Sequence, residues 1–287
     1  MSTPAEITAA AQLACLLEAS APKPGNVSPG ISFHDTRYED FLASAAAIAP
    51  AFLDIDRQSI GDTIRRALES TRAWTDANTN LGIVILLAPL AHAALESAPR
   101  SLRERVRRVI ALTTVEDATA VYSAIRLARP GGLGNATTED VAALPTVTLA
   151  AAMELASDRD DVAREYVTAF ERTFTVGAPA LVRARTAGLD WSDAVVECYL
   201  ALLATAPDTL IARKLGPDAA GEVSRQASAV LAAGGIRTNS GRRALASFDL
   251  ELRDVRNTRN PGTTADITAA ALFVVLLNGG WKGGWER

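Results

Sequence analysis

Cysteine is nearly missing from these 287 residues: there are two, Cys15 and Cys198, each set inside an apolar helical pattern where a free thiol behaves as a small hydrophobe. That leaves no disulfide framework and suits a reducing, cytoplasmic setting. Positive charge is also lacking. With 29 Lys and Arg against 33 Asp and Glu, the formal net charge is -4, so no global field is available to hold nucleic acid or an anionic membrane, and any polyanionic ligand must be gripped locally. The start, MSTPAEITAA, lacks a basic segment followed by an apolar one, so no signal peptide is expected. The longest apolar run, at 81–95, contains Pro89 and His92 and falls short of the roughly 20 residues that span a bilayer; it reads as a buried core helix. Strand patterns are missing as well, since nowhere do β-branched and aromatic residues alternate with polar ones between turn signals.

What is present is helical punctuation. Thr3 with Glu6, Thr36 with Glu39, Ser101 with Glu104 and Thr113 with Glu116 each place a capping hydroxyl three residues before a carboxylate, and Pro4 suits a first helical position. The periodicity predicts helices at 4–20, 37–53, 58–74, 80–97, 102–112, 114–128, 146–157, 159–175, 178–187, 191–206, 217–233, 239–254 and 264–278. Segments 42–49 and 266–277 are apolar on most faces, as central helices should be. The expected fold is all-α, a single multi-layer bundle over residues 1–287. A hydrophobic content of 48% is ample for its core and excludes disorder.

Gly, Pro and Asn gather in a few loops: Lys23-Pro24-Gly25-Asn26, Asn78-Thr79-Asn80-Leu81-Gly82, Pro130-Gly131-Gly132-Leu133-Gly134-Asn135, and Asn260-Pro261-Gly262-Thr263-Thr264-Ala265-Asp266. Function is sought there, because binding groups concentrate on loops held by a rigid scaffold. Gly262, Thr263 and Thr264 precede an apolar helix whose start would present free N–H groups and about half a positive charge, a setting for phosphate. Asp266 is expected in the first turn, where the plainer role is a cap. Asn80 reads as an N-cap, and Gly82 would let a ligand approach. Lys23 could pair with phosphate, His34 could donate a proton or hydrogen bond, and Asp35 could hold a divalent metal; the plain alternative is a solvated surface loop. His92 reads as a hydrogen-bonded core residue, and Arg100, Arg103, Arg105, Arg107 and Arg108 as a solvated helix surface. Arg213 and Lys214 could neutralise a triphosphate or simply suit the negative end of the preceding helix. Trp281 and Trp285 belong to a Gly-flanked tail that would dock on the body or a second subunit, or stay flexible.

The order of these blocks resembles one family. Ala21-Pro22-Lys23-Pro24-Gly25, Phe33-His34-Asp35, Phe41-Leu42-Ala43-Ser44, Asn78-Thr79-Asn80-Leu81-Gly82 and Pro261-Gly262-Thr263-Thr264-Ala265-Asp266 follow one another as they do in the triphosphoribosyl-dephospho-CoA synthases. The resemblance implies an all-α enzyme that moves the triphosphoribosyl group of ATP to the 2′-hydroxyl of 3′-dephospho-CoA and releases adenine. It implies His34, Asp35 and Asp266 as catalytic residues, with Asp35 and Asp266 as ligands of Mg²⁺. Lys23, Gly25, Asn78, Thr79, Asn80, Gly82, Arg213, Lys214, Gly262, Thr263 and Thr264 would bind the nucleotide and its phosphates. Three segments, 23–35, 78–82 and 260–266, are expected to converge on one cleft. The partners implied are small nucleotides; Leu, Val and Trp residues near the C-terminus would suit a homodimer. The chain departs from the family where Asn80 and Leu81 replace a His-Lys pair, and where Ala212-Arg213-Lys214-Leu215-Gly216 stands for a His-Arg-Gly-Gly block. Those losses keep two alternatives open: pentosyl transfer to another acceptor or nucleotide hydrolysis, and a nucleotide-binding helical protein without turnover.

Overall fold

The computed structural model describes residues 2–97, 99–134 and 136–282, so Asn135 and Trp285 lie outside the described residues. Among those described, helices make up the regular structure and no strand forms; Ser28 and Ile31 make an isolated antiparallel bridge. The all-α expectation is met. Contacts gather into two compact units, one of residues 1–15 and 39–171, the other of 16–38 and 172–287.

In the first unit, helix Ile60–Arg72 packs along Val115–Ala128, and Leu81–Leu95 lies against Ile60–Arg72 and Leu102–Ala111. The first pair approaches closely because Gly61 has no side chain: a Cβ there would sit 2.5 Å from the Asp117 Cα. Asp117 uses the proximity, its Oδ1 accepting from Gly61 N–H at 2.8 Å and its Oδ2 from Thr114 N–H at 2.9 Å. Helix Leu81–Leu95 is buried at all but a few positions, each large apolar side chain contributing roughly 1.5–3 kcal/mol. Pro89 inside it cannot donate to the Ile85 carbonyl, a loss that ordinarily breaks a helix. The buried Tyr166 hydroxyl donates to that carbonyl instead, at 2.7 Å. His92 contacts Thr63 Oγ1 at 3.1 Å, and burial holds its pKa down to about 4, so it is a neutral core side chain near pH 7.

In the second unit, Trp191–Thr205 packs on Ala178–Thr186, Pro217–Ala232 and Gly262–Leu277, with Asn239–Leu252 against Pro217–Ala232. Trp281 stacks on Trp191, ring centroids 5.3 Å apart, with the Arg185 guanidinium 4.7 Å from the Trp191 ring centre. That places the described part of the tail on the body.

Several boundaries differ from expectation. The 37–53 segment breaks into Tyr38–Ala47 and Ala49–Leu53, with Pro50 opening the second piece. Thr36 turns its hydroxyl to Asp35 Oδ1 at 3.2 Å and does not build the expected box with Glu39. The box expected at Thr113 and Glu116 forms one residue later, between Thr114 and Asp117. The expected 159–175 helix stops at Val167, where Ala169 and Phe170 take left-handed backbone with φ of 51° and 58° before a π-helical turn at Thr173–Gly177. A helix at Thr209–Leu215 was not expected at all; Asp208 begins it.

Candidate active site

The Lys23-Pro24-Gly25-Asn26 turn is a buried knot. Lys23 is 1% exposed, and its ammonium meets Glu18 Oε1 at 3.0 Å while donating to the Glu18 carbonyl and, at 3.3 Å, the Ala21 carbonyl. An ammonium has three donors, and these three oxygens take them. Lys23 is thus held as an internal cation: buried charge needs a partner, and Glu18 supplies it. Gly25 is likewise committed. Its φ of 72° suits glycine, a Cβ would come within 3.0 Å of Leu252, and its N–H donates to Asp249 Oδ1 at 2.8 Å. Arg253 clamps Asp249 through both carboxylate oxygens, at 2.8 and 2.7 Å, and reaches the Asn26 carbonyl at 3.1 Å. Asn26 donates to the Tyr199 hydroxyl at 2.9 Å, which donates to the Pro24 carbonyl at 2.9 Å. Burial, then the nearby Asp208 charge, pushes the Tyr199 phenol well above its usual range, which keeps it a donor.

That knot holds the segment carrying His34 and Asp35, and there the surface opens. Their side chains are 57% and 64% exposed, with His34 Nε2 3.7 Å from Asp35 Oδ2. On its other edge His34 Nδ1 lies 3.2 Å from Asn257 Nδ2. Since the amide nitrogen can only donate, Nδ1 accepts and the imidazole proton sits on Nε2, towards Asp35. Asn257, at φ 51°, is set by a loop tied to Asp254, which accepts from Arg256 N–H, Thr258 N–H and the Thr258 hydroxyl.

Lys214, in the same unit, feels the charges of Asp35 and Asp254. The surrounding protein desolvates it and lowers its pKa, against the opposing pull of Asp208, Asp35 and Asp254. Arg213 precedes it in the last turn of Thr209–Leu215. Segments 23–35 and 260–266 also meet: Pro261 lies 3.2 Å from the position a Gly25 Cβ would take. Segment 78–82 belongs to the other unit.

The start of helix Gly262–Leu277 differs from the expected phosphate cradle. Asp208, 1% exposed, places Oδ2 on Thr264 N–H at 2.7 Å and the Thr264 hydroxyl at 2.8 Å. Its Oδ1 accepts from Leu210 N–H at 2.9 Å and Ile211 N–H at 3.1 Å. The helix start already holds an anion, and the anion is the protein's own. Thr263, also buried, shares a 3.3 Å hydrogen bond with the Thr209 hydroxyl. A Gly262 Cβ would press on Leu210 at 2.7 Å, so this glycine serves helix packing. At this helix start Asp208 takes the Thr264 donors, while Gly262 and Thr263 lie against the Thr209–Leu215 helix. Asp266 is the fifth residue of its helix, beyond the first turn, so the capping role is removed; it is half-buried. The sequence assigns no site role to Asp208, Asp249 or Arg253, although an Asp two residues before the apolar pair Leu210 and Ile211 is an N-cap signal.

At the Leu81–Leu95 helix, Asn80 occupies the N-cap position but makes no cap bond. Asn78 does the work, its Oδ1 accepting from Leu81 N–H at 3.3 Å. Asn80, 4% exposed, donates to Thr71 Oγ1 at 3.0 Å, leaving its Oδ1 buried and without a hydrogen-bond partner. Thr79 is buried against the Ser44 hydroxyl. A pocket of about 10 Å³, lined by Thr71, Arg72, Asn78 and Asn80 among others, is the size of one water and no nucleotide cavity.

Among the described residues no three His, Cys, Asp or Glu side chains converge as a metal cage. Mg²⁺ needs less, since one or two carboxylates plus substrate phosphates hold it. Asp208 and Asp254 spend their oxygens on hydrogen bonds within the chain, whereas Asp35 is open; its carboxylate fits such an ion.

The fold is that of an all-α protein whose candidate polar groups stand at helix ends and in the loops between them. The family described as ATP:dephospho-CoA triphosphoribosyl transferase matches residues 4–284, and the chain belongs to it. A Stutzerimonas stutzeri protein described as a probable 2-(5''-triphosphoribosyl)-3'-dephosphocoenzyme-A synthase is 26% identical over 277 residues, covering 90% of this chain and 86% of the relative. A Pseudomonas putida protein of the same description is 39% identical over 98 residues, 34% of each chain. With the Pseudomonas relatives, then, the matched stretch spans only about a third to two-fifths of their length. A crystal structure of an Archaeoglobus fulgidus protein, described as a "putative triphosphoribosyl-dephospho-coA synthase", superposes with a TM-score of 0.65 at 30% identity, over 83% of this chain and 99% of that one.

Proposed function

We propose that this protein transfers the triphosphoribosyl group of ATP to the 2′-hydroxyl of 3′-dephospho-CoA. The observation that carries the reading is the family match across residues 4–284. In the reaction the ribose C1′–N9 bond breaks, its electron pair leaving with adenine, while the acceptor oxygen bonds to C1′ and gives up its proton. Positive charge develops on the ribose, and the departing base needs a proton. His34, with its proton on the Nε2 edge, is suited to serve adenine; Asp35 is suited to take the hydroxyl proton or to bind Mg²⁺, which would neutralise phosphate charge when present. Arg213 and Lys214 are the cations assigned to the triphosphate, and Asp266 stands as a second carboxylate for the same metal. Support for a small-molecule enzyme comes also from the charge balance and from the lack, among the described residues, of any single helix long and apolar enough to cross a membrane. A cytoplasmic location and a homodimer complete the reading, the latter supported by Trp281, Leu250 and Val255, which are 49%, 72% and 90% exposed.

One observation favours a second acceptor or simple hydrolysis: where the family has His-Lys, this chain has Asn80 and Leu81, both buried. Incubation with ATP, Mg²⁺ and dephospho-CoA, followed by mass spectrometry, decides. Adenine together with a triphosphoribosylated dephospho-CoA is the expected outcome. Adenine without that adduct moves the assignment to the second reading, and no adenine above a protein-free control overturns both.

A further inference from the structure

A buried carboxylate that reaches two helix starts at once ties those helices to each other. Asp208 does this at the corner between Trp191–Thr205 and Thr209–Leu215, whose axes differ by 56°. One oxygen begins the short helix that carries Arg213 and Lys214 in its last turn. The other holds the third residue of the helix that carries Asp266 two positions later. All four donors are satisfied at 2.7–3.1 Å, and at 1% exposure no water competes. Hydrogen bonds to a buried charge are the strong kind and fix direction as well as distance.

We propose that Asp208 is a positioning residue for the transfer reaction, setting the cations Arg213 and Lys214 in register with Asp266 without touching substrate. The inference rests on the reading that those three residues face the triphosphate. It also explains why a chain with a phosphate-ready helix start spends that start on its own carboxylate: the anion there works as a hinge pin for the cations. Replacing Asp208 by Asn keeps the volume but can accept through one oxygen only, so an amide N–H must face either the Thr264 donors or the Leu210 and Ile211 N–H groups. The helices then lose their common anchor.

The test is steady-state kinetics of Asp208→Asn against the parent, following adenine release. A purely structural loss reduces the active fraction and hence apparent kcat, leaving KM for ATP unchanged. Misplaced cations raise KM for ATP, by tenfold or more, and weaken binding of inorganic tripolyphosphate by a similar factor. Thr264→Val and Thr264→Ser form an independent pair should Asp208→Asn fail to fold. Removing the hydroxyl is expected to raise KM about threefold, and the serine variant to restore it. Parental KM and parental tripolyphosphate affinity in folded Asp208→Asn, or in Thr264→Val, overturn the positioning role. A parent that releases no adenine instead sinks the reading beneath it, and tripolyphosphate binding still reports on Asp208.

Discussion

Two helix starts in this chain look alike in sequence and are built in opposite ways. At Leu81–Leu95 the cap is local: Asn78, three residues ahead, accepts from Leu81 N–H, and Asn80 leaves a buried oxygen without a hydrogen-bond partner. At Gly262–Leu277 the cap is imported: Asp208, more than fifty residues away in sequence, fills the start with a full negative charge. A stretch of Gly, Thr and Asn before an apolar helix announces free N–H groups. It does not announce whether a ligand or a distant carboxylate will take them.

The largest effect that could break this contrast is removal of the imported anion. Asp208→Ala should cost about 4 kcal/mol in denaturant unfolding, because four donors lose a buried charged acceptor. Next comes acid. His92, near the end of Leu81–Leu95, is held down to about 4 by burial. The unfolded chain therefore binds its proton first, near pH 6.5, so stability is complete above about pH 6.5 and is lost as pH falls towards 4, by up to about 3 kcal/mol. His92→Gln should flatten that part of the stability curve; an unchanged slope would place the acid-sensitive group elsewhere. The local cap is worth less: Asn78→Ala should cost about 1 kcal/mol, and a loss as large as that of Asp208→Ala would erase the distinction.

The smallest effect is spectroscopic. With only two histidines, ¹⁵N-histidine labelling gives two resolvable rings. His34 should show an unprotonated Nδ1 at pH 8, and Asn257→Ala should move it towards a tautomer mixture. A mixture already present in the parent would remove Asn257 from the site.

Most of the fold was legible because amphipathic periodicity and capping pairs are local signals, as Ser101 with Glu104 shows. The break at Ala169 and Phe170 was not, since neither is a residue that normally takes left-handed backbone. The seven-residue helix at Thr209–Leu215 is too short to show a period. In the candidate site, His34, Asp35 and Lys214 were readable as chemistry, and all three belong to one unit. Lys23 was not readable as internal: nothing in a Lys-Pro-Gly turn shows that Glu18, itself a carboxylate inside an apolar helix, turns back to neutralise it. Asp249 and Arg253 form an ordinary i,i+4 pair in sequence, and only the fold brings Gly25 beneath them.

On the proposed reading the triphosphate is met by Arg213 and Lys214, while the Gly262–Leu277 helix start is scaffold. Calorimetric titration of inorganic tripolyphosphate into three proteins tests it directly: the parent, the double variant Arg213→Met with Lys214→Met, and Thr263→Val. The account predicts that the double variant binds at least tenfold more weakly and that Thr263→Val stays within twofold of the parent. Weakened binding by Thr263→Val, with the double variant unaffected, would contradict it and return the phosphate to the helix start.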